Sequence, residues 1–422
     1  MLATRCLVVL AMSLMLVACK STTPATTATR LGALMPAHVS QATDDGWGAA
    51  EGPVTGGALA RPEHIYRVRN RAQLAAALTA GGTHTTSATA RIIYVEGSID
   101  LSVDGNNRPL GESDYRDPEF SWDAYTLAYN PQTWGKNAPS GAQEEARRRS
   151  TERQSAVVIL PVGSNTSLIG IGNGAVIKNG GLVLRDAKNV IIRNIAFEDS
   201  YDYFPQWDPQ DNANGEWNSA YDNVTLYGAR RVWIDHCTFS DGARPDRING
   251  SLFGRRMQFH DGLLDIVRGA DLVTISYSHF RNHDKGLLIG NSDNRTDDEG
   301  KLRVTLHHNW FENVKERSPR VRYGRVHLFN NLYTAEVGAD YPYGYSVGVG
   351  FKSQIVAQNN VFNIRSAAAP RVFKHWRGER LLAMGNLLNG APFDPLAMLR
   401  LESPQATIMD SVEWTLPSGV RI

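Results

Sequence analysis

The sequence predicts an all-β fold, a single-domain parallel β-helix (a solenoid) with long loops and a few short helices. The chain has 422 residues, which exceeds one compact core and leaves two domains or one elongated solenoid. Its 38 glycines and 9% aromatic residues favour strands joined by many turns. From residue 156 onward, one eight-residue unit recurs in the same phase, which favours one elongated solenoid over two domains.

The N-terminal 60 residues are predicted to lie outside the solenoid. Residues 1–18 read as a lipoprotein-type signal peptide, because an apolar stretch ends in LVAC at Cys19 and resembles a lipobox. An ordinary secretory signal is the alternative. Residues 19–60, rich in Thr, Ala, Gly and Pro, are predicted to be a flexible linker, and 61–422 the folded domain. Lys20 after the cysteine is not the aspartate associated with inner-membrane retention in some bacteria, so a lipoprotein is expected at the outer membrane of a Gram-negative bacterium.

Two helices are predicted before the repeats begin. The segment RAQLAAALTAG predicts a helix over 71–81 that ends at Gly81. The segment SGAQEEARRRSTERQ predicts a second helix over 140–154, with Ser140 as its cap and acidic residues in its first turns.

The repeat has apolar residues at positions one and three, polar or small residues at four to six, and an apolar or aromatic residue at eight. Positions one and three point inward together because side chains alternate along a strand. A β-sandwich also has short, regularly spaced strands, but it does not require the same phase and polar bend in every unit. Seven units begin at Val190, Val232, Val273, Val304, Val326, Ile355 and Leu381.

The polar bend residues predict side-chain ladders between stacked coils. Asn at a bend also tolerates the left-handed backbone region. His307 is interpreted as a core or ladder residue together with its neighbour, since adjacent strand residues face opposite ways and do not converge on a metal. The predicted ladders are His308, Asn330 and Asn359 at position five, and Asn309, Asn331 and Asn360 at position six.

Composition excludes several classes of protein. The formal net charge is +1, from 44 basic and 43 acidic residues, so the chain lacks the basic excess of a nucleic-acid binder. A mean hydropathy of −0.32 argues against a polytopic membrane protein, so membrane contact is expected only through a lipid on Cys19. Of the three cysteines, Cys237 has at most Cys19 to pair with after signal removal, so no disulfide framework is expected. We expect a monomer.

Three aspartates are candidates for a metal site. Asp222 immediately precedes a predicted strand, whereas Asp261 and Asp265 lie four residues apart and share one face of a strand. Carboxylate oxygens that converge from different coils are the ligands that Ca²⁺ prefers, with positions left for water and an anionic substrate. The alternative is that each aspartate is a solvated turn residue.

A basic cluster follows the aspartates along the chain. The segment KERSPRVRYGR contains four arginines, and Lys285 precedes it by about one coil. Positive charges this close repel one another unless an anion or a carboxylate compensates them. The alternative is a solvated basic edge that protects the sheet from further pairing. The four arginines are Arg317, Arg320, Arg322 and Arg325.

At these residues the sequence resembles the pectate lyase family of polysaccharide lyases, of the extracellular bacterial type. The resemblance spans residues 65–390 approximately and keeps the order and spacing of the family's segments. It implies a right-handed parallel β-helix with an open groove for a polygalacturonate chain. The segments that carry it are DYFPQWDPQD (202–211), EWNSAYDNVTL (216–226), VWIDHCTFSDGARPD (232–246), HDGLLDIVRGAD (260–271), NHDKGLLIGNSD (282–293) and LHHNWFENVKERSPRVRYGRVHLFNN (306–331).

The resemblance also implies roles for individual residues. It implies Ca²⁺-dependent β-elimination of α-1,4-linked polygalacturonate, which yields 4,5-unsaturated oligogalacturonides. Some members carry a further acidic ligand where this chain has Val224. By similarity, Asp222, Asp261 and Asp265 are Ca²⁺ ligands, Lys285 and Arg322 bind substrate, and Arg317 is the catalytic base.

A base role for Arg317 makes a physical demand on its surroundings. Arginine is protonated at ordinary pH, so neighbouring positive charge must lower its pKa, here from Ca²⁺, Lys285 and Arg322. An alkaline pH optimum would follow. Two other functions remain open on sequence: a Ca²⁺-independent pectin lyase acting on methylated pectin, and a non-catalytic, lipid-anchored β-helix that only binds polyuronate.

Overall fold

A computed structural model of the chain describes residues 45–80, 89–366 and 369–416. The predicted signal peptide and most of the predicted linker therefore lie outside the described residues. All described residues belong to the unit Val39–Ile422. Their strands stack in three columns of parallel strands, and the chain visits each column once per coil. This is the predicted parallel β-helix.

The first column contains the first half of every repeat. The seven predicted starts lie opposite one another in register, from Val190 through Val273 to Leu381, and every one is buried. The predicted repeat is therefore the coil of the solenoid. The strands of this column are Ile65–Val68, Arg91–Asp100, Thr166–Lys178, Lys188–Arg193, Arg230–Asp235, Asp271–Ser276, Arg303–His307, Arg325–Phe329, Gln354–Gln358 and Arg380–Met384.

The second column follows the bend of each repeat, and the third column closes the coil. The second half of Arg91–Asp100 and of Thr166–Lys178 begins the second column. Its other strands are Ala196–Glu198, Thr238–Ser240, His279–Ile289, Trp310–Glu316, Leu332–Ala335, Val361–Ile364 and Leu387–Leu388. The third column contains Ile159–Pro161, Gly181–Arg185, Val224–Tyr227, Gly262–Val267, the end of His279–Ile289, Arg320–Val321, Val347–Gly350 and Phe373–Trp376.

The remaining elements lie in the loops and at the ends of the coils. Short antiparallel pairs join Gln206–Asp208 to Glu216–Asn218, Ser251–Leu252 to Arg255–Arg256, and Leu387–Leu388 to Ala391–Pro392. The α-helices are Arg71–Thr79, Glu112–Tyr115, Trp122–Ala128, Pro131–Trp134, Ala142–Val158 and Pro395–Glu402. The 3-10 helices are Trp47–Ala49, Pro62–His64, Asp246–Ile248 and Thr296–Asp298.

Position eight of the repeat forms an aromatic ladder inside the helix. Neighbouring rings lie 4.5–5.2 Å apart and within 16° of parallel, so each ring covers the ring of the next coil. This spacing is close to the distance between hydrogen-bonded strands, so one aromatic residue per coil is enough to form a continuous stack. The ladder consists of Phe197, Phe239, Phe280, Phe311, Tyr333 and Phe362.

Position six forms the predicted amide ladder. Nδ2 of Asn309 donates to Oδ1 of Asn331 at 3.1 Å, and Nδ2 of Asn331 donates to Oδ1 of Asn360 at 3.0 Å. The ladder continues to Asn386, one coil beyond the prediction. Each amide also donates to a main-chain carbonyl, so these buried polar groups are satisfied.

Position five holds the left-handed bend that the sequence predicts. His308, Asn330 and Asn359 have φ angles of 54°, 54° and 53°. The predicted ladder at this position reduces to a 3.4 Å contact between Asn330 Nδ2 and His308 Nε2. His308 instead stacks on Tyr277, while His307 stacks on Phe329. The Nδ1 atoms of the two histidines lie 2.9 Å apart, so the prediction that they face opposite ways is wrong, because the left-handed backbone at His308 interrupts the alternation of the strand.

The described part of the predicted linker, residues 45–60, is not a free tether. The N–H groups of Trp47, Gly48 and Gly57 donate to hydroxyls of Thr305, Thr274 and Ser167, each at 2.9 Å. The linker prediction is wrong for this stretch because its small residues serve close packing: an added Cβ at Gly57 would lie 1.9 Å from the carbonyl oxygen of Arg91. We call residues 45–58 the N-terminal strap.

Both predicted helices exist, with changes at their ends. The first ends at Thr79 instead of Gly81, which lies outside the described residues. The second runs from Ala142 to Val158, and its N-cap residue, Gly141, has no side chain to cap it. Ser140 is therefore not its cap, since the Ser140 carbonyl accepts a hydrogen bond from the Tyr129 hydroxyl instead.

Two further observations concern membranes and thiols. Over the described ranges, we find no helix with both the length and the apolar character to cross a bilayer. Cys237 is a free, buried thiol, and burial raises its pKa to about 12. The fold of the described residues therefore depends on packing and hydrogen bonds.

Candidate active site

The six predicted site residues lie at or beside strands of the third column, on consecutive coils. Asp222 precedes the strand Val224–Tyr227, and Asp261 precedes Gly262–Val267, which contains Asp265. On the next coil, Lys285 lies opposite Gly262 in register. Arg317 follows the strand Trp310–Glu316, and Arg322 follows Arg320–Val321.

Gly262 lies between two of the aspartates. Its N–H donates to Oδ1 of Asp222 at 2.9 Å. An added Cβ would lie 2.6 Å from Oδ1 of Asp265 and 2.8 Å from Oδ1 of Asp222. A glycine at this position is therefore what allows the two carboxylates to approach each other. Val224, which the family resemblance aligns with a further acidic ligand, is buried in the hydrophobic core.

The aspartates repel one another in a desolvated site. Burial raises the pKa of Asp222 well above its usual range, and Asp265 and Asp261 raise it further. Burial and then Asp261 raise the pKa of Asp265 to about 7. Three carboxylates this close carry more negative charge than Lys285 and Arg317 neutralise. The site therefore has an excess of negative charge.

The donor set fits a hard divalent cation. Asp222, Asp261 and Asp265 supply carboxylate oxygens, the ligand type that Ca²⁺ prefers. Within the described ranges, no three or more His, Cys, Asp or Glu side chains are arranged so that they could hold a metal ion without further adjustment. The excess negative charge of the three aspartates is what a bound divalent cation would relieve.

Lys285 is buried beside the aspartates. Its ammonium donates to Oδ1 of Asp261 at 3.2 Å, and its side chain is 10% exposed. Burial alone would lower the pKa of Lys285, but the charge of Asp261 outweighs this effect and raises the pKa. Lys285 is therefore charged at neutral pH and points at the carboxylate group.

Arg317 has the opposite electrostatic environment from the one predicted. Its backbone is left-handed, with φ of 62°, and its Nε donates to Oε1 of Glu316 at 3.2 Å. Burial lowers the pKa of Arg317, but Glu316 and Asp261 outweigh burial, so the pKa is raised. The predicted lowering of this pKa includes a bound Ca²⁺ and stays a prediction; without the cation, the closest charges are carboxylates and the pKa is raised.

Arg322 is held by partners that the sequence did not indicate. Its Nε donates to Oδ1 of Asp293 at 2.8 Å, and its Nη1 donates to the carbonyl of Gly290 at 3.0 Å. Arg377 also pairs with Asp293, at 3.3 Å. Arg325 belongs to a strand of the first column, so the basic cluster of the sequence divides between two faces of the helix.

A buried network behind Asp261 was also missed. Nε2 of His283 lies 2.7 Å from the main-chain oxygen of Asp261, and its Nδ1 lies 2.5 Å from Oδ1 of Asp241. His260 bridges Asp246 and Asp199 at 2.8 and 2.9 Å. The signal for this network was a histidine beside each of two aspartates, in HDG and NHD, but their partners come from distant loops.

The chain is similar to known pectate lyases over most of its length. The sequence profile of a family described as "Pectate lyase" matches residues 137–407. A pectate lyase of Bacillus subtilis is 45% identical, over 90% of this chain and 88% of that protein. Pectate lyase E of Dickeya dadantii is 35% identical, over 86% of this chain and 79% of that protein.

Solved structures give the same result. A variant of the Bacillus subtilis pectate lyase superposes with a TM-score of 0.84 at 44% identity, over 91% of this chain and 94% of that one. A pectate lyase bound to a hexasaccharide superposes with a TM-score of 0.84 at 44% identity, over 90% and 93% of the two chains.

Proposed function

The chain belongs to the pectate lyase family of polysaccharide lyases, and from this premise we propose that it cleaves α-1,4-linked polygalacturonate by Ca²⁺-dependent β-elimination. Lyases of this family are generally calcium-dependent. The observation that supports the proposal is the juxtaposition of Asp222, Asp261 and Asp265 with Lys285 and Arg317 on one face of the third column. An acidic polymer would meet both a cation site and a positive surface there.

The three aspartates would hold Ca²⁺ together with a carboxylate of the substrate. When bound, Ca²⁺ supplies Lewis-acid withdrawal of charge from that carboxylate, which makes the neighbouring C5–H bond more acidic. Lys285 and Arg322 would orient the uronate and stabilise negative charge as it develops. Asp293 and the Gly290 carbonyl hold the Arg322 guanidinium in place, which lowers the entropic cost of using it.

Arg317 would take the proton from C5. The electron pair of the C5–H bond then forms the C4–C5 double bond, and the C4–O4 bond breaks with its electrons on O4, which takes up a proton. Arg317 must lose its own proton first. Glu316, Asp261 and Asp265 oppose that loss, and a cation that neutralises the two aspartates removes part of this opposition.

The experiment is turnover of polygalacturonate, followed by the ultraviolet absorbance of the conjugated unsaturated product. Ca²⁺-dependent growth of absorbance that a chelator abolishes supports the proposal. Growth on methylated pectin that ignores the chelator would instead identify a pectin lyase. Retained binding without product would identify a binding module. The Arg317→Ala variant should lose turnover and keep Ca²⁺ binding, and unchanged turnover would remove Arg317 from the mechanism.

We also propose that the protein is an extracytoplasmic monomer anchored through a lipid on Cys19. The LVAC sequence at the end of residues 1–18 supports this. Cys19→Ala should release the protein from the membrane fraction, and mass spectrometry of the wild type should find an acylated N-terminal cysteine. An unmodified N-terminus would favour ordinary secretion.

A further inference from the structure

A second group of side chains converges on the third column, beside Arg317 and outside the predicted site. It is centred on Gly348, where a Cβ would fit only if its neighbours moved by a few tenths of an ångström. An added Cβ there would lie 3.0 Å from Cγ of Arg320, 3.1 Å from Cε2 of Tyr345 and 3.2 Å from Cδ1 of Trp376. The missing side chain therefore lets three large side chains from three segments meet.

The strand register extends this group toward the C-terminal coils. Arg320 lies opposite Gly348, which lies opposite Lys374 on the following coil. These positions face outward, because their strand neighbours Val321 and Val349 are buried in the core. Each coil adds about 4.8 Å, so the group extends the face that carries Arg317 by about 10 Å. We call Arg320, Lys374 and Trp376 the distal basic cluster.

Trp376 holds the two cations of the distal basic cluster together. The Arg320 guanidinium lies 4.4 Å from the centroid of the indole ring, and the Lys374 ammonium lies 4.3 Å from it. Such contacts are attractive but leave the charges uncompensated. Two like charges on one ring repel each other, and an anion between or beside them would relieve the repulsion.

Neither cation has an anionic partner among the residues that the structure describes. Arg322 and Arg377, by contrast, both pair with Asp293. Nε of Arg320 is buried and makes no hydrogen bond within the described chain. Burial lowers the pKa of Arg320, and the charges of Arg322 and Arg317 lower it further, so the local potential is positive. The Arg320 guanidinium and the Lys374 ammonium are thus two cations without an ion pair in the described chain.

We propose that Arg320 and Lys374 bind a carboxylate of the acidic polysaccharide and that Trp376 positions both cations. This further uronate subsite begins on the coil of Arg317 and ends at Lys374, two coils beyond it. The inference rests on the proposed function, since the ligand is another sugar of the same chain. The planar guanidinium of Arg320 suits a carboxylate, and Lys374 adds a second charge. A long polygalacturonate would reach this subsite, whereas a short oligomer held at Arg317 would not.

The test compares Lys374→Met with the control Lys188→Met, which removes an exposed lysine from the first column. KM is measured for long polygalacturonate and for a series of shorter oligogalacturonates. We expect KM of Lys374→Met to rise about tenfold on the long chain and the ratio to the control to fall toward one as the oligomer shortens. An unchanged KM on long chains, or a loss in kcat alone, would overturn the proposal.

A binding measurement separates this inference from the proposed function. Titration of polygalacturonate into each variant with Ca²⁺ present, in the Arg317→Ala background, should show weaker binding for Lys374→Met than for Lys188→Met. Trp376→Phe should weaken binding less than Lys374→Met, because it keeps an aromatic ring between the cations. If the wild type makes no product, the proposed function fails, and this titration still decides the subsite: equal affinities of the two lysine variants would overturn it.

Discussion

Lys285 donates to Asp261 across 3.2 Å, so a residue proposed to bind substrate pairs with a residue proposed to bind the metal. The two lie on consecutive coils, 24 positions apart. The pair offsets part of the negative charge of the three aspartates before any ligand arrives. A cation that binds Asp261 must therefore compete with an ammonium group. The unfavourable charge repulsion is expressed in the raised pKa values of Asp222 and Asp265.

The first prediction concerns Asp265. Burial and Asp261 raise its pKa to about 7, so its ionised form is unfavourable in the protein without metal. We expect Asp265→Asn to raise the melting temperature of the chelator-treated protein at pH 8 and to abolish the additional stabilisation by Ca²⁺. A ligand present at about 100 times its Kd adds about 2.7 kcal/mol to the wild type.

Differential scanning calorimetry with and without Ca²⁺ measures both effects. Asp297→Asn, at an exposed carboxylate that pairs with Arg295, is the matched control and should respond to Ca²⁺ like the wild type. A Ca²⁺ response that survives in Asp265→Asn would exclude this residue as a ligand.

The second prediction concerns Glu316 and the pH dependence of turnover. Burial lowers the pKa of Arg317, and Glu316 is the largest cause that raises it. Removing this carboxylate lowers the pKa of Arg317. Because a base acts in its deprotonated form, the active form of Arg317 then becomes available at lower pH. We expect Glu316→Gln to shift the acidic limb of the kcat profile to lower pH.

The profile is measured with saturating Ca²⁺ and polygalacturonate. Glu336→Gln, at an exposed carboxylate directly after the strand Leu332–Ala335, should leave the limb where it is in the wild type. A shift to higher pH, or no shift, would show that Glu316 does not control the protonation of the base.

The third prediction concerns the amide ladder. Asn331 accepts hydrogen bonds from Asn309 and donates to Asn360 and the Leu306 carbonyl. Asn331→Ala leaves these buried groups unpaired, which should reduce the free energy of unfolding by about 3 kcal/mol. Chemical denaturation measures the loss. Asn330→Gly, at the exposed left-handed neighbour, should change stability by less than about 0.5 kcal/mol. Equal effects at the two positions would contradict the ladder as a source of stability.

The fourth prediction concerns the N-terminal strap. Gly57→Ala places a Cβ against the Arg91 carbonyl oxygen, at 1.9 Å before any adjustment, so the strap must lift from the first column. We expect faster proteolysis within residues 45–58 and a lower melting temperature, with turnover close to the wild type because the active site is on the third column. Gly105→Ala, which meets nothing within 4 Å, is the control. Identical proteolysis of the two variants would exclude tight packing at Gly57.

The repeat was predictable because each of its features is local. The phase from Val190 to Leu381, the left-handed bend at Asn330 and the amides at Asn309 and Asn331 all follow from alternation along a strand and from backbone preferences. Stacking then repeats the same contacts from coil to coil, so a correct reading of one coil applies to the next. The order of the site residues along the column follows in the same way.

Other features depend on partners far away in the chain. The N-terminal strap has the composition of a linker, and its packing becomes visible only when Trp47 meets Thr305, 258 positions later. The same holds for Asp293 beside Arg322 and for Asp241 beside His283. No local pattern distinguishes these carboxylates from solvated loop residues.

The sequence by itself determined the coil, its core ladders and the residues that the third column presents, because these depend on short-range periodicity. Only the tertiary structure decided which charged side chains lie close enough to change one another's pKa or to form ion pairs. It placed Glu316 and Asp261 near Arg317, which raises the pKa of that residue, and it left Arg320 and Lys374 together on Trp376 without a carboxylate in the described chain. Electrostatic energy depends on distances between coils and on burial, and neither is written in the spacing of residues along one strand.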